Sequence, residues 1–365
     1  MSDDLLYKLA LTFVKYVGPV TGKLLIDHFG DAKSIFHATL KDLKHVSGMN
    51  ETRVKEFRDE NVIKKAEMEL TYLYKHNVRA LWYTDSDYPE RLRLCTDAPL
   101  LMYYKGCASL NAVKVIAIVG TRKCTEYGRK LTEDLVESLG AQKELLILSG
   151  LADGIDTFVH RAALSNGIPT VGVLGHGNDI MYPVHNKGLA AEMQLQGGVL
   201  TEYPSGTNAD KGNFPARNRI VAGMSDVTVV VESDVKGGAL ITAKIASSYN
   251  RDVVAFPGRV GDKRSGGCNE LIRTNIAAMI TKADDLLELM NWGKVRPRAV
   301  QNQLFVNLTI DEKRLLDYLQ TKEAVHADEL YHNTGMNNSQ LAATLLQLEM
   351  QGLVKAMPGK MYRVS

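Results

Sequence analysis

The sequence predicts an α/β fold: a doubly wound parallel sheet, with a helical domain before it and a winged helix after it. Three observations lead there. Between residues 114 and 256, short apolar runs alternate with helical stretches, the pattern of repeated βα units. Each run is apolar at consecutive positions, as a strand covered on both faces must be. Most of the runs end at glycine-rich turns, where sheets of this class bind their ligands.

Residues 1–70 read as helical. Leu5, Leu9, Phe13 and Tyr16 keep helical spacing, Val17-Gly-Pro19 breaks it, and Val46-Ser-Gly-Met49 repeats the break. Two apolar–glycine hairpins between short helices resemble a SAM-like or helix-hairpin-helix module, in which glycine lets the backbone approach a phosphate. A plain helical packing domain is the competing reading. The α/β domain is expected over 71–292, with strands at Val115–Val119, Leu145–Leu148, Pro169–Leu174, Val199–Thr201, Val227–Val231 and Asp252–Phe256. Residues 293–306 lack periodicity and read as a linker. In 307–365, Thr309 is placed to cap a helix over Asp311–Leu319; short helices over His326–Tyr331 and Asn338–Met350 follow, then a hairpin turning at Pro358-Gly359. Three helices and a hairpin make a winged helix.

Composition excludes several classes. A chain of 365 residues is long enough for two or three domains. It has no apolar run of bilayer length, and Met1-Ser-Asp-Asp lacks the blocks of a signal peptide. Cys95, Cys107, Cys124 and Cys268 form no CxxC pair, so neither a disulfide framework nor a zinc site is expected, and the reducing cytoplasm is. The net charge is only +2, and residues 1–70 carry 11 basic and 11 acidic side chains. Any nucleic-acid surface must therefore be a local patch.

Residues 211–219 supply that patch. Lys211, Arg217 and Arg219 flank Phe214 and Pro215, with no acid among them. Guanidinium groups near a helix start suit phosphate oxygens, and an aromatic ring beside them offers a face for an unpaired base. Gly120-Thr-Arg-Lys123 sits at a strand-to-helix turn but lacks G-x-G-x-x-G spacing, so Arg122 points to phosphates rather than to a dinucleotide. Ser149-Gly-Leu-Ala-Asp-Gly-Ile-Asp156 reads as an anion nest exposing the Ser149 hydroxyl and N–H groups near Gly150, with Asp153 and Asp156 as helix caps. No G-x-S-x-G elbow surrounds Ser149, and His176 and His185 lack metal-ligand spacing. Neither catalytic residues nor a metal or cofactor are expected.

Gly120-Thr-Arg122, Ser149 to Asp156, Tyr182-Pro183, Phe214-Pro-Ala-Arg-Asn-Arg-Ile220, Leu240-Ile-Thr-Ala243 and Pro257-Gly258, in that order, resemble the signature of the DprA/Smf DNA-processing family. The resemblance spans about residues 114–290, and the helical start and winged-helix end match the family's domain order. It implies an extended Rossmann-like fold in a single-stranded DNA-binding protein that acts as a homodimer, protects incoming DNA and helps load RecA recombinase in natural transformation. The expected DNA-binding set is Arg122, Ser149, Gly150, Lys211, Phe214, Arg217, Asn218 and Arg219. The chain departs from the family at Gly237-Gly-Ala239, where many relatives carry hydroxyl residues, and at Gly267-Cys-Asn269 in place of Gly-Thr-Asn.

Two other readings compete. A nucleotide-processing enzyme of the LOG-like Rossmann group needs a Pro-Gly-Gly-x-Gly-Thr loop and a downstream glutamate, whereas this chain has Pro257-Gly-Arg-Val-Gly-Asp262. A nucleotide sensor with a winged-helix output leaves the Phe-Pro arginine block unexplained. The helix Asn338–Met350 contains no Lys or Arg, so the winged helix is expected to contact protein rather than read duplex DNA.

Overall fold

A computed structural model describes residues 3–293, 308–320, 322, 325–351, 353–357 and 359–364. The chain divides between Trp292 and Gly293 into two compact units. The expected linker lies, except for Gly293, outside the described residues, as does Pro358 of the expected turn.

The first unit is built on a sheet of β1 (Arg79–Trp82), β2 (Leu101–Gly106), β3 (Lys114–Val119), β4 (Leu145–Ser149), β5 (Thr170–Val173), β6 (Gly198–Thr201), β7 (Val227–Val230), β8 (Asp252–Ala255) and β9 (Ala278–Met279). Its order is β1-β2-β6-β5-β4-β3-β7-β8-β9. From β6 through β9 every neighbour pair is parallel, whereas β2 runs antiparallel to β6 and β1 antiparallel to β2. The six expected runs are all strands. The doubly wound order follows from β3, which takes β4 on one side and β7 on the other.

The strands β1, β2 and β9 are additions to the sequence reading. Both β1 and β2 turn their two faces to different cores. Leu101 and Tyr103 pack into the core of the N-terminal helices, while Met102 and Tyr104 pack into the core of the parallel sheet. Alternation along one strand thus joins two cores. The N-terminal helices Asp3–Phe13, Pro19–Phe29, Ala32–His37, Leu40–Lys44, Glu51–Glu56 and Glu60–His76 share that joint core, and the last of them continues beyond residue 70.

In the second unit the helices are Ile310–Leu319, Ala327–Thr334 and Asn338–Met350, with a sheet of β10 (Val325–His326), β11 (Val354–Met357) and β12 (Met361–Val364) in the order β10-β12-β11. Thr309 caps the first helix in a capping box with Glu312, and Asn337 caps the third with Gln340. His326 is the cap of the second helix rather than its first residue. This is a winged helix.

His160, on the helix Ile155–Ser165, is fully buried, with Nδ1 2.7 Å from Thr170 Oγ1 and no partner for Nε2 among the described residues. Burial pushes its pKa down to about 3, against about 6.5 in an unfolded chain. Its contribution to stability is therefore complete above the unfolded value and is lost as pH falls from there toward the folded value. Denaturation midpoints measured from neutral to mildly acidic pH should show the parent losing up to about 1.4 kcal/mol per pH unit through this one proton. His160→Gln should remove that component; identical slopes for both proteins would contradict it.

Candidate nucleic-acid interface

Because β3 is the point where the winding reverses, the crevice of the sheet opens at its carboxyl end. A groove of about 520 Å³ lies there, walled by Gly120, Thr121 and Arg122 after β3, Gly150 after β4, the helix Asn213–Met224, and Asp234 to Thr242 after β7. Its helical wall presents Phe214, Arg217, Asn218 and Val221. These stand at i, i+3, i+4 and i+7, one face of a helix.

That geometry separates the two arginines of the Phe-Pro block. Residues two apart on a helix point about 200° from each other. Arg217 faces the sheet, and Arg219 faces away from the groove, bonded to Glu202 and 3.8 Å from Asp97. The sequence treats them as a pair at a helix mouth, but Asn213 already begins the helix, so both lie within it. Arg219 belongs to a half-buried acid–base cluster, not to the phosphate-facing set.

Arg217 is 4% exposed. One guanidinium nitrogen donates to Gly150 O at 2.6 Å and also to Val173 O, and Nε donates to Asn218 Oδ1 at 3.2 Å. Burial pushes its pKa down to about 10, opposed by Asp156, so it remains charged at neutral pH. Asp156 is buried beside it; desolvation raises its pKa and the Arg217 charge opposes the rise. Gly150 makes this packing possible: a Cβ there would stand 2.6 Å from the guanidinium and 2.7 Å from the Asp156 carboxylate. Arg217 therefore floors the groove and ties its walls together, instead of offering a free cation.

Ser149 is also corrected. It is buried, and its hydroxyl donates to Ile118 O at 2.7 Å, joining β4 to β3. The anion nest has no exposed hydroxyl there. Nor do the two aspartates cap the helix: its N-cap is Gly154, Asp156 accepts from Ala152 N at 3.3 Å, and Asp153 pairs with His185 at 2.8 Å.

The remaining residues of the expected set do meet in the groove. The Arg122 guanidinium lies 5.2 Å from the Phe214 ring centroid, and the Tyr182 ring is 5.7 Å from Phe214 on another side. Gly175 lets the ring sit so low, since a Cβ there would come within 3.0 Å of it. Tyr182 was visible in the sequence only as part of a motif; its ring completes the aromatic site. Arg122 and Lys211 are exposed, line the groove and form no ion pair among the described residues. Asn218 accepts from Arg217 through its oxygen, which leaves its amide N–H groups for a ligand. The site thus offers two cations without an ion pair among the described residues, one of them against the Phe214 ring, together with an amide donor and two rings. That combination fits a nucleic-acid strand with unpaired bases.

Of the two departures from the family signature, Gly237-Gly-Ala239 lines the groove without a side-chain hydroxyl to offer, and Gly267-Cys-Asn269 lies outside its lining. Cys268 is buried behind β7, where burial pushes its thiol up to about 12. Asn269 bonds both N and O of Gly258 at 3.1 and 3.0 Å. Among the described residues, no group of His, Cys, Asp and Glu side chains has the geometry of a metal site.

Comparisons with known proteins identify the family and the fold. Residues 79–291 match the model of DNA recombination-mediator protein A, and residues 303–360 match the DprA winged helix domain. The chain belongs to the DprA/Smf family. The Smf protein of Synechocystis is 33% identical over 98% of both chains. Among solved structures, DNA processing protein A (DprA) of Streptococcus pneumoniae superposes with a TM-score of 0.62 at 34% identity, over 78% of this chain and 96% of that one. DNA processing protein A of Helicobacter pylori, whose structure addresses that protein's single-stranded DNA binding mode, gives 0.53 at 28% identity, over 59% and 96%. A recombination-mediator class within DNA processing is thereby assigned to the DprA/Smf fold seen here.

The division between a structural and an exposed arginine is testable by stability. Arg217→Ala leaves Asp156 buried without its counter-charge and two carbonyls unpaired, a loss of about 3–5 kcal/mol. Arg122→Ala, at an exposed position, should stay within about 0.5 kcal/mol of the parent. Urea denaturation reads both, and an Arg217→Ala protein as stable as the parent would overturn the assignment.

Proposed function

We propose that this protein binds single-stranded DNA in the groove at the carboxyl end of β3 and acts, without catalysis, as a mediator that hands the strand to a RecA-type recombinase. The observation that carries the reading is the Arg122–Phe214–Tyr182 cluster beside Lys211. Its rings take unpaired bases and its two unpaired cations take phosphates. A paired base has no free face, so the cluster favours a single strand. The relative from Helicobacter pylori, with its single-stranded DNA binding mode, supports the same ligand. The setting is the uptake of DNA in natural transformation, with the protein working as a homodimer in the cytoplasm. The free state of all four cysteines is consistent with that compartment. Among the described residues, no helix is long and apolar enough to cross a membrane.

Anisotropy with single- and double-stranded oligonucleotides over a salt series tests the reading. Single-strand affinity should fall linearly in log salt, and Arg122→Ala or Lys211→Ala should each reduce the slope by about 0.7. Phe214→Ala should cost about 1–3 kcal/mol of affinity at unchanged slope. Deleting residues from Gly293 onward should leave most single-strand binding intact, because the cluster lies wholly in the first unit. If Arg122→Ala and Lys211→Ala both bind as tightly as the parent, the groove is not the DNA site.

A further inference from the structure

Beside the groove, at the ends of β7 and β8, lies a second cavity of about 700 Å³ that the reading above leaves unused. Tyr127, Pro257 and Gly258 give it an apolar wall, and Arg259, Lys263 and Arg264 give it charge. Tyr127 is 52% exposed, with its hydroxyl donating to Pro257 O at 3.1 Å, so the ring is held at one edge and keeps a free face. Arg259 and Lys263 are exposed and form no ion pair among the described residues. The acids are Asp262 on the rim and buried Glu232, whose two oxygens are occupied by Thr125 N at 2.8 Å and Thr125 Oγ1 at 2.7 Å. Glu232 thereby fills the start of the helix Glu126–Leu139, and an incoming anion is left with Arg259 and Lys263.

The two cavities share a wall. Arg264, which lines the second, donates to Thr121 Oγ1 at 3.2 Å and to Lys123 O, and it lies 3.8 Å from Asp234; Thr121 and Asp234 line the first groove. A chain of alternating phosphates and bases leaving the Arg122 end of the groove meets this arginine next, and then a ring beside two free cations. We propose that the second cavity is a further nucleotide subsite, in which a base stacks on Tyr127 and the adjoining phosphate meets Arg259 and Lys263, on the same strand that occupies the first groove. The inference rests on the single-strand reading above. The shared chemistry is a nucleotide, and its source is either the continuing strand or a free mononucleotide.

A length series of thymidine oligonucleotides separates these, using the full-length parent, Arg259→Ala/Lys263→Ala and Tyr127→Leu. For the parent, affinity should step up about tenfold or more at the length where the strand outgrows the first groove. Both variants should bind the short oligonucleotides like the parent and lose the step, and the double variant should lose about 0.7 from the salt slope on long ones only. The same length dependence in all three proteins would overturn the subsite. So would binding of thymidine monophosphate that the double variant loses while its length series stays parental, because that assigns the cavity to a free nucleotide. A parent that binds no oligonucleotide of any length would instead sink the single-strand reading itself.

Discussion

The groove depends on one buried guanidinium. Arg217 joins the helix Asn213–Met224 to the ends of β4 and β5 through the carbonyls of Gly150 and Val173. A charge is costly to bury, and here Asp156 and the carbonyl dipoles offset that cost. Fixing this helix fixes what shares its face. Phe214 sits one turn earlier, over Gly175, and Asn218 lies next to the guanidinium. With Arg217 committed to structure, Arg122 and Lys211 are the exposed cations that line the groove.

A second constraint comes from the N-terminal helices. Glu69, 4% exposed on the helix Glu60–His76, accepts hydrogen bonds from Ser205 N at 3.1 Å and from Ser205 Oγ at 2.5 Å. Burial raises its pKa, and these hydrogen bonds oppose the rise. Asp179 accepts from Gly206 N at 2.9 Å. Together they hold the segment that leads to Lys211. The helical part and the sheet also share β1 and β2, so the cation at the groove's edge is positioned by a core to which both contribute.

Much of this was legible in the residues. Consecutive apolar runs mark the parallel strands because those strands are covered on both faces, and the order of motifs marks the carboxyl ends where the groove forms. Arg122, Lys211 and Phe214 were recognisable by residue type and position. What escaped were features that need three dimensions. The roles of Arg217 and Arg219 differ only by helical phase, and that phase depends on where the helix begins. Ser149 looks exposed in a glycine-rich turn, yet it is the last residue of β4 and its hydroxyl is consumed by the neighbouring strand. The strand β2 does carry a consecutive apolar run, Leu101-Met-Tyr-Tyr104, as its burial between two cores requires, but it lies outside the βα alternation that marks the parallel strands, and β1 is buried only at Leu81 and Trp82. Tyr182 belongs to a different loop from Phe214, and no spacing in the sequence brings the two rings together.

The central claim is that the aromatic cluster of the first unit receives unpaired bases. Ultraviolet cross-linking of the full-length protein to an oligothymidine, followed by mass-spectrometric mapping of the modified residues, tests it without any substitution. The account expects adducts at Phe214 and Tyr182, which disappear when the strand is annealed to its complement. Adducts confined to the winged helix or to the N-terminal helices, with Phe214 and Tyr182 unmodified, would contradict it.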